Sequence, residues 1–397
     1  MSTGRFWRRM QEILPLQLVA DLRTCHRVSV LDGDIAKENF GLDDRTLASL
    51  RNRVSIFIHA ASSISLRDGL PKMAASVVHP SLAAAKLALS FAHLERFVFV
   101  STAYVNGFLH WDQSSANGFK GQECVVEERI YPLRQPDHGA DVELHNIVDF
   151  GTTPEHSHMP HPFAYSYVKH LTERLLLELF RKEDREHQLL LFRPSCFGPA
   201  QQEPFPHFEV AGSSPGTTAM CAIIASLPVK ARCASNLADP SKSTIDEVPV
   251  DVVVNRLVAH IAFGTSGCVH AVSGASGRRN FQDMYNAIAR LRRPWWWHPA
   301  LKWSNGNLDS GKLCALSNLY KVLGCSYLFR EEKTERVWQL MSPSMRELWP
   351  LWTMRDPSDM SDFAIRGQTS GPMLSAWMGK RYGRPGRWMA KAMGPKS

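Results

Sequence analysis

The sequence predicts an α/β fold with a doubly wound parallel sheet, followed by a mainly helical C-terminal extension. Two observations support this class. Over about the first 270 residues, short apolar runs alternate with segments of helical period, which is typical of a parallel sheet covered by helices on both faces. The 397 residues are 44% hydrophobic and 21% charged, a globular composition that is large enough for one large domain or two medium ones.

The first predicted elements are two strands and the helix between them. The β-branched run Arg27–Leu31 predicts a strand, because such residues favour a pleated conformation. Asp43–Arg51 carries leucines at helical spacing and predicts a helix. Val54–His59 is a mostly apolar run that predicts a second, buried strand.

The alternation continues through the middle of the chain. Ser81–His93 is rich in Ala and Leu and predicts a helix, which the apolar strand Arg96–Ser101 follows. Tyr165–Arg181 predicts a long amphipathic helix. Gln188–Phe192 predicts a further strand, which Arg193-Pro194-Ser195 ends.

Two segments interrupt the alternation, and a third ends it. Asn106–Pro162 is polar and rich in Gly, His and Pro, which predicts an inserted loop region, and Ala200–Gly216 has the same character. From about Arg278 the chain becomes helical, Trp-rich and finally basic. We therefore predict one α/β domain over residues 1–277 and a helical region over residues 278–397.

The formal net charge of +8 is concentrated in a C-terminal tail. No acidic residue follows Asp362, and the tail carries seven basic residues: Arg366, Lys380, Arg381, Arg384, Arg387, Lys391 and Lys396. Because the rest of the chain is close to neutral, the charge gives no ground for a nucleic-acid partner. A basic tail near tryptophans is instead compatible with peripheral contact with an intracellular membrane.

Cysteine spacing and hydropathy predict a cytoplasmic protein without a bound metal. The eight cysteines contain no Cys-x-x-Cys pair, which favours reduced thiols over a disulfide framework or a zinc site. The histidine-containing insert lacks the i, i+4 pair of zinc peptidases. The chain contains no run of about 20 apolar residues, and its start lacks the apolar region of a secretory signal.

Tyr165 and Lys169 form a Tyr-x-x-x-Lys pattern on the long predicted helix. Four residues span about one helical turn, so both side chains share one face. An ammonium group beside a phenol favours the phenolate and so lowers the phenol pKa from its usual value near 10. Such a tyrosine is able to protonate the oxygen that forms when a hydride reaches a carbonyl carbon.

Small or polar residues follow four predicted strands: Gly33-Asp34, His59-Ala60-Ala61, Ser101-Thr102 and Arg193-Pro194-Ser195. Open α/β sheets bind ligands at the C-terminal ends of their strands. Small residues let a flat cofactor approach the backbone, and the Thr102 hydroxyl is able to hold a substrate carbonyl. The alternative role of Ser101-Thr102 is a helix or turn cap.

These segments resemble the extended short-chain dehydrogenases/reductases, and within that superfamily the fatty acyl-CoA reductases. The matching motifs are GDI (Gly33–Ile35), IFIHAAS (Ile56–Ser62), FVFVSTAYVNG (Phe97–Gly107), AYSYVKHLTE (Ala164–Glu173), LFRPSCFGP (Leu191–Pro199), EPFP (Glu203–Pro206) and DEVPVDVVVN (Asp246–Asn255). The resemblance implies a Rossmann-like, NAD(P)-binding fold. It also implies reduction of a long-chain acyl-CoA by NADPH, to an aldehyde and usually onward to an alcohol.

The resemblance implies a role for each matching residue. We expect Tyr165 to be the general acid, Lys169 to bind the nicotinamide ribose and tune Tyr165, and Thr102 to hold the carbonyl. The expected cofactor-binding residues are Gly33, Asp34, Ile35, His59, Ala60, Ala61, Ser101, Lys169, Pro194, Ser195 and Cys196, with Asp34 and Ile35 near the adenine. EPFP and VPVD are expected to shape the substrate side, where the acyl-CoA binds.

One motif of the family is not found in the sequence. No G-x-x-G-x-x-G occurs, although these glycines let backbone N–H groups and a helix N-terminus bind the pyrophosphate. We therefore expect a Rossmann-like domain that is truncated at its N-terminus and that binds a dinucleotide weakly or not at all.

Three functions stay open. The first is the NADPH-dependent acyl-CoA reductase, and the second is a truncated reductase-like pseudoenzyme or acyl-CoA/lipid-binding module without cofactor turnover. The third is a thioester-reductase type that acts on a carrier-bound acyl group. A hydrolase is not favoured, because the G-x-S-x-G match at residues 212–216 places Pro215, which has no N–H, where the oxyanion donor is needed.

Overall fold

The computed structural model describes residues 3–109, 123–133, 139–158, 161, 163–210, 213–225, 231–233, 235, 237–291, 301–303 and 325–393. The chain divides into two compact units, and each is described by itself. Unit 1 comprises Met1–Val100, Pro132–His158 and Phe163–Leu191, and unit 2 comprises Ser101–Tyr131, Met159–Pro162 and Phe192–Ser397. The predicted division after residue 277 was based on a change in sequence composition rather than on contacts, and it stays a prediction.

Helices and strands alternate along most of the chain. The α-helices are α1 (Thr3–Ile13), α2 (Leu16–Thr24), α3 (Asp44–Arg53), α4 (Leu70–Met73), α5 (His79–Leu89), α6 (Ala140–Phe150), α7 (Pro154–His158), α8 (Ala164–Lys182), α9 (Pro215–Ala225), α10 (Val250–Ala262), α11 (Gly274–Gly277), α12 (Phe281–Leu291), α13 (Glu332–Leu340), α14 (Pro343–Leu348) and α15 (Asp362–Met393). The strands are β1 (Ile56–His59), β2 (Arg96–Val100), β3 (Cys124–Val126), β4 (Leu189–Pro194), β5 (Cys196–Gly198), β6 (Ala231–Cys233), β7 (Thr244–Ile245), β8 (Glu247–Pro249), β9 (Gly267–Ala271), β10 (Arg279–Asn280), β11 (Leu301–Trp303) and β12 (Tyr327–Phe329).

Unit 1 contains a parallel sheet segment, which includes the predicted strand that ends at His59. Its strand order is β1-β2-β4, with β4 contributing its first three residues. Strands β1 and β2 are parallel, and the register runs from Ile56 opposite Arg96 to His59 opposite Phe99. Helices separate these strands in the chain, so the predicted α/β class with a parallel sheet is confirmed.

The core of unit 1 involves α8 and the helical segment Leu70–Leu89, in which a π-helical turn, Ala74–Val78, joins α4 to α5. Val168 and Leu171 on α8 are fully buried and cluster with Met73 and Val77. Tyr165 borders the same cluster at the beginning of α8. The apolar period of α8 therefore fixes the direction in which the first turn of the helix presents its tyrosine.

The strand predicted at Arg27–Leu31 is wrong. The backbone between α2 and a 3₁₀ turn at Glu38–Gly41 is irregular, and Val28 and Leu31 are 41% and 49% exposed. A β-branched composition stabilises a strand only where the side chains pack against neighbours. The side chains of this segment are not packed in this way, so their intrinsic preference for a strand has little effect.

The prediction of a loop over Asn106–Pro162 is also wrong in the part of this insert that the structure describes. It contains β3, α6 and α7, while residues 110–122 and 134–138 lie outside the described residues. Helix α6 is held by its acidic residue Glu143, which accepts two 2.6 Å hydrogen bonds from Arg174 and one of 2.6 Å from the Tyr167 hydroxyl. A carboxylate that suggested a solvated loop is therefore buried and bidentately paired.

Unit 2 contains several short strand pairs and a helical core. Strands β5 and β8, β3 and β12, and β6 and β11 pair in parallel, whereas β7 and β10 pair antiparallel. Helices α9, α12 and α15 contribute to one apolar cluster, which includes Met220, Ile288 and Phe363. The described part after Arg278 is mostly helical, as predicted.

Helix α15 is interrupted at one glycine. Gly383 has a φ of 66° and a ψ of −144°, outside the helical region, so the backbone kinks at this residue. Within the described residues, every helix is too short or too polar to cross a bilayer.

A buried ion network attaches α15 to β8 and to β10. Arg366 donates two hydrogen bonds of 2.8 Å to Glu247, and it also lies 2.8 Å from Asp362. Arg279 donates to Asp362 at 2.8 Å. Gly216 at the start of α9 permits this packing, because a Cβ atom there would lie 2.0 Å from Glu247 Oε1.

We expect Gly216→Ala to destabilise unit 2 by about 2 kcal/mol, because the added methyl group overpacks a site where the ion pair has no room to move. Urea denaturation followed by circular dichroism measures the change in the free energy of unfolding. Gly69→Ala is the matched control, since a Cβ atom at Gly69 meets nothing within 4 Å. Equal stabilities of the two variants would contradict this account of Gly216.

Candidate active site

Helix α8 places Tyr165 and Lys169 one turn apart in unit 1. Tyr165 is half-buried, whereas Lys169 is only 2% exposed. Lys169 Nζ lies 5.9 Å from the centroid of the Tyr165 ring and 4.5 Å from that of Phe99, and it donates a 2.9 Å hydrogen bond to the Val100 carbonyl. The amine thus links the start of α8 to the C-terminal end of β2.

Burial governs the ionisation of the two basic groups at this point. Desolvation lowers the pKa of Lys169 to about 7, and the charge of Glu173 opposes that shift. Desolvation, followed by the charge of Lys169, lowers the pKa of His59 to about 4. His59 is therefore a neutral imidazole at pH 7.

His59 has a defined tautomer at the end of β1. Its ring stacks on Phe99 with centroids 6.0 Å apart, and its Nε2 lies 3.1 Å from Ser81 Oγ. Because Ser81 Oγ donates its own hydrogen to the Val77 carbonyl at 2.6 Å, it accepts from His59, so Nε2 carries the proton. Ala60 and Ala61, the other predicted cofactor residues after β1, are exposed.

The GDI motif borders an open cavity of about 340 Å³ in unit 1, which we call the Asp34 cavity. It is lined by Arg5, Asp32, Gly33, Asp34, Lys37, Phe40 and Gly41. Asp34 N donates to the Phe40 carbonyl at 2.8 Å, and Ala36 N donates to Asp34 Oδ1 at 3.0 Å, so the loop is folded on itself. Ile35, also predicted at the cofactor, is half-buried in this loop.

Gly33 and Asp34 were predicted at the cofactor from the sequence, whereas the other residues that line this cavity were not. Lys37 and Phe40 follow the GDI motif within seven residues, and this proximity was the available signal. Arg5 lies on α1, and no pattern in the sequence connects that helix to the motif.

Ser101 and Thr102 belong to unit 2 and are 5% and 8% exposed. Thr102 Oγ1 accepts a 3.3 Å hydrogen bond from Tyr104 N and caps a 3₁₀ turn at Ala103–Asn106. The alternative cap role is thus realised for Thr102. Ser101 N donates to the Phe192 carbonyl at 2.7 Å, whereas Ser101 Oγ has no hydrogen-bond partner in the described part of the chain.

A second buried amide near the STAYVNG motif also lacks partners. Asn106 is 1% exposed, and neither its Oδ1 nor its Nδ2 has a hydrogen-bond partner among the described residues. Buried polar groups without partners are costly, at about 1–3 kcal/mol each. Ser101 Oγ and the Asn106 amide are therefore groups that a bound ligand would satisfy.

Pro194, Ser195 and Cys196 follow one another in unit 2, where a buried aspartate orients the middle residue. Ser195 Oγ donates to Asp246 Oδ1, which also accepts from Ser273 N at 2.8 Å. Burial raises the pKa of Asp246, and the hydrogen bonds from Ser195 and Ser273 oppose that shift. Asp246 was expected only as the first residue of the matching motif DEVPVDVVVN, and its contact with Ser195 was not predicted.

The thiol of Cys196 is protonated at neutral pH. Burial raises its pKa to about 12, and a 3.7 Å hydrogen bond joins its sulfur to the Tyr104 hydroxyl. A neutral thiol is a poor nucleophile, so Cys196 is suited to lining a cleft rather than to covalent chemistry.

The EPFP and VPVD motifs meet in unit 2. Asp251, the last residue of VPVD, accepts hydrogen bonds from three successive backbone amides, those of Gln201 at 2.9 Å, Gln202 at 2.7 Å and Glu203 at 3.1 Å. One side chain at the start of α10 therefore sets the conformation of the turn that leads into EPFP.

The serine of the hydrolase-like pattern has a structural role. Ser214 is 3% exposed, donates to the Phe197 carbonyl at 3.0 Å and accepts from Thr217 N at 3.3 Å, so it caps α9. Gly212 of the same pattern lies outside the described residues. The described residues contain no group of three side chains that could hold a metal ion.

Comparison with known proteins identifies similar sequences and folds. The family model described as male sterility protein matches residues 3–257. Fatty acyl-CoA reductase 2 of Homo sapiens is 23% identical over 265 residues, which are 64% of this chain and 44% of that protein. Fatty acyl-CoA reductase 1 of Gallus gallus is 25% identical over 296 residues, which are 73% of this chain and 51% of that protein. The chain thus spans about half the length of these curated relatives.

Among solved structures, the terminal R domain from the myxalamid PKS-NRPS biosynthetic pathway has a similar fold. The TM-score is 0.51 at 15% sequence identity, over 87% of this chain and 77% of that domain. This likeness supports the Rossmann-like fold and nothing finer.

The buried amine predicts a pH dependence of stability. The pKa of Lys169 is about 7 in the folded chain against 10.5 ordinarily, so above pH 7 the unfolded chain binds a proton that the folded chain has released. Stability therefore rises with pH, by at most about 1.4 kcal/mol per pH unit for one group. We expect Lys169→Met to reduce this slope between pH 7 and 8.5, measured by urea denaturation.

The upper limit of pH 8.5 avoids the thiols, whose raised pKa values give the opposite slope at higher pH. Lys72→Met is the control, because Lys72 is an exposed lysine that pairs with Asp68. Parallel stability curves for the wild type and Lys169→Met would show that the amine is not perturbed.

Proposed function

Since the chain belongs to the male sterility protein family, we propose that it is a reductase that uses NADPH to convert long-chain fatty acyl-CoA thioesters to aldehydes and onward to alcohols. The similarity to two proteins named fatty acyl-CoA reductases supports this substrate class. The observation that carries the chemistry is the placement of Lys169 Nζ 5.9 Å from the Tyr165 ring on one helix.

Tyr165 is the proposed proton donor. A half-buried phenol at the first turn of α8 is accessible to a substrate, while the buried side of the helix keeps it in place. When the carbonyl carbon of the thioester accepts a hydride, its oxygen becomes an alkoxide, and the Tyr165 hydroxyl donates a proton to it. The C–S bond of the resulting hemithioacetal then breaks, which releases coenzyme A as its thiol and leaves the aldehyde. The phenolate that remains is stabilised by the positive charge of Lys169.

Lys169 is proposed to bind the nicotinamide ribose and to supply the positive charge that stabilises the Tyr165 phenolate. Its hydrogen bond to the Val100 carbonyl and its position over Phe99 hold Nζ at the end of β2. With a pKa of about 7, the amine exchanges its proton readily near neutral pH, which suits a residue that returns a proton to Tyr165 after each turnover.

The residues of unit 1 fit parts of a nicotinamide dinucleotide. The Asp34 cavity offers an aromatic ring and carboxylates for an adenosine, and Lys169 offers an amine for the second ribose. When bound, reduced NADPH supplies the hydride. No residue is assigned to the pyrophosphate, because the sequence contains no G-x-x-G-x-x-G. The predicted roles of Thr102, Ser101, Pro194, Ser195 and Cys196 remain proposals from the resemblance.

An acyl-CoA-binding protein without turnover is the second candidate. A reductase that acts on a carrier-bound thioester is a third candidate, and it differs from the first only in the thiol that is released.

We also propose a cytoplasmic protein whose tail contacts an anionic membrane surface. Trp388 is 72% exposed and lies near the exposed Arg384 and Arg387, a combination that is suited to lipid headgroups. Co-sedimentation with phosphatidylserine vesicles tests this, and equal binding of the full chain and Trp388→Ala would count against it.

We expect Tyr165→Phe to reduce NADPH-dependent reduction of palmitoyl-CoA at least about 100-fold, because the proton donor is lost. Tyr131→Phe is the matched control. Tyr131 is a half-buried tyrosine whose hydroxyl accepts a hydrogen bond from Glu127 N at 3.0 Å, so its loss should leave the rate within about twofold. NADPH oxidation at 340 nm and detection of the aldehyde measure both rates, and an unchanged rate in Tyr165→Phe would exclude this residue as the acid.

Titration of the full chain with NADPH, followed by nicotinamide fluorescence, separates the three candidates. A reductase binds NADPH saturably and consumes it with palmitoyl-CoA or with a carrier-bound thioester, and the preferred thiol distinguishes the first candidate from the third. Binding of palmitoyl-CoA without saturable binding of NADPH would favour the binding protein and would overturn the proposed reductase.

A further inference from the structure

The Asp34 cavity contains two cations that the proposed adenine contact does not explain. Arg5 and Lys37 line it together with the carboxylates of Asp32 and Asp34 and the ring of Phe40. Aromatic rings stack with purines, carboxylates accept hydrogen bonds from amino groups, and cations bind phosphates. This one cavity thus holds the group types that recognise a phosphorylated adenosine.

Both cations are available to an anion. Within the described residues, neither Arg5 nor Lys37 forms an ion pair or a side-chain hydrogen bond, although two carboxylates line the same cavity. The carboxylate of Asp34 instead accepts from Ala36 N at 3.0 Å, within its own loop. The cations are exposed, so an incoming phosphate need not displace a protein partner from them.

The backbone of the loop positions Lys37 and Phe40. Gly41 has a φ of +67°, and a Cβ atom there would lie 3.2 Å from Lys37 Cδ, so the glycine leaves room for the lysine stem. Phe40 contacts Phe57 of β1 with ring centroids 6.3 Å apart, and its carbonyl accepts from Asp34 N. The aromatic ring and the carboxylate are therefore held in a fixed relation to each other.

We propose that Arg5 and Lys37 bind the ribose monophosphate of an adenosine nucleotide whose base lies against Phe40. The inference rests on the proposed function, because that function assigns the adenine to Asp34. A cavity of about 340 Å³ is of the size that holds one nucleotide rather than a whole dinucleotide. Two ligands of the proposed reaction carry this group, NADP at the ribose 2′ oxygen and coenzyme A at the 3′ oxygen.

Isothermal titration of the full chain with three adenosine nucleotides tests the inference. We expect 2′,5′-ADP or 3′,5′-ADP to bind with one-to-one stoichiometry and more tightly than 5′-AMP, which lacks the second phosphate. Arg5→Ala and Lys37→Ala should each weaken binding of the preferred bisphosphate about fivefold and leave that of 5′-AMP unchanged, since each removes one charge-assisted contact.

Two variants control for charge and location. Arg9→Ala removes an arginine of the same helix that pairs with Glu12 at 2.9 Å, and Lys72→Ala removes a lysine that pairs with Asp68. Neither residue lines the cavity, so both variants should bind the bisphosphates as the wild type does. Lys37→Arg should retain most of the affinity.

The outcomes separate the inference from the proposed function. A preference for the 2′ isomer identifies the NADP phosphate, and a preference for the 3′ isomer identifies that of coenzyme A. Equal binding of all three nucleotides, no binding, or losses that are the same in the control variants would overturn the inference, even if the chain reduces acyl-CoA. Phosphate-dependent binding in a chain without turnover would uphold the inference and reject the reductase.

Discussion

The buried amine of Lys169 connects the packing of unit 1 to its candidate site. An amine in this position loses its hydration, and three contacts offset the loss: the Val100 carbonyl, the face of Phe99 and the charge of Glu173. These contacts fix where α8 begins relative to the end of β2. The charge of the same amine adds to the desolvation that lowers the pKa of His59, and the amine lies 5.9 Å from the centroid of the Tyr165 ring. The proposed chemistry at Tyr165 and the packing of α8 against the end of β2 therefore both depend on Lys169 Nζ.

In each unit, a buried bidentate Arg–Glu pair also holds a helix. Arg174 and Glu143 join α8 to α6 in unit 1, and Arg366 and Glu247 join α15 to β8 in unit 2. A buried pair of this kind contributes little net stability, because desolvation of two charges cancels much of their attraction. Its geometry, however, accepts only one arrangement of the two side chains. These pairs therefore specify where α6 and α15 dock more than they stabilise the fold.

Much of the fold could be predicted from apolar periodicity, because β2 and α8 bury the residues that form their patterns. Strand β1 forms as predicted but is not a buried strand, since Ile56 and Ile58 are 41% and 45% exposed. The Tyr165–Lys169 pair could likewise be predicted, since helical spacing alone brings the two side chains together. The irregular structure of Arg27–Leu31 could not be predicted, because the exposure of this segment depends on neighbours that the local sequence does not contain. Helix α6 was missed because Glu143 is buried by a partner 31 positions away. Arg5 could not be predicted at the Asp34 cavity, because only the tertiary fold brings α1 next to the GDI motif. The contact of Asp246 with Ser195 could not be predicted for the same reason, since 51 positions separate the two residues.

The turn at Gln201–Glu203 carries a consequence for ligands that bear phosphates. Three consecutive amides that converge on one carboxylate form a backbone nest, the arrangement that in other proteins receives an anion from solution. Here the anion is the carboxylate of Asp251 in the same chain, so the nest is already occupied by an intramolecular ligand. These hydrogen bonds hold the turn without a ligand, and the carboxylate of Asp251 neutralises the partial positive charges of the three amides. Attraction of an anionic substrate must therefore come from other residues, which leaves this turn to act through shape alone.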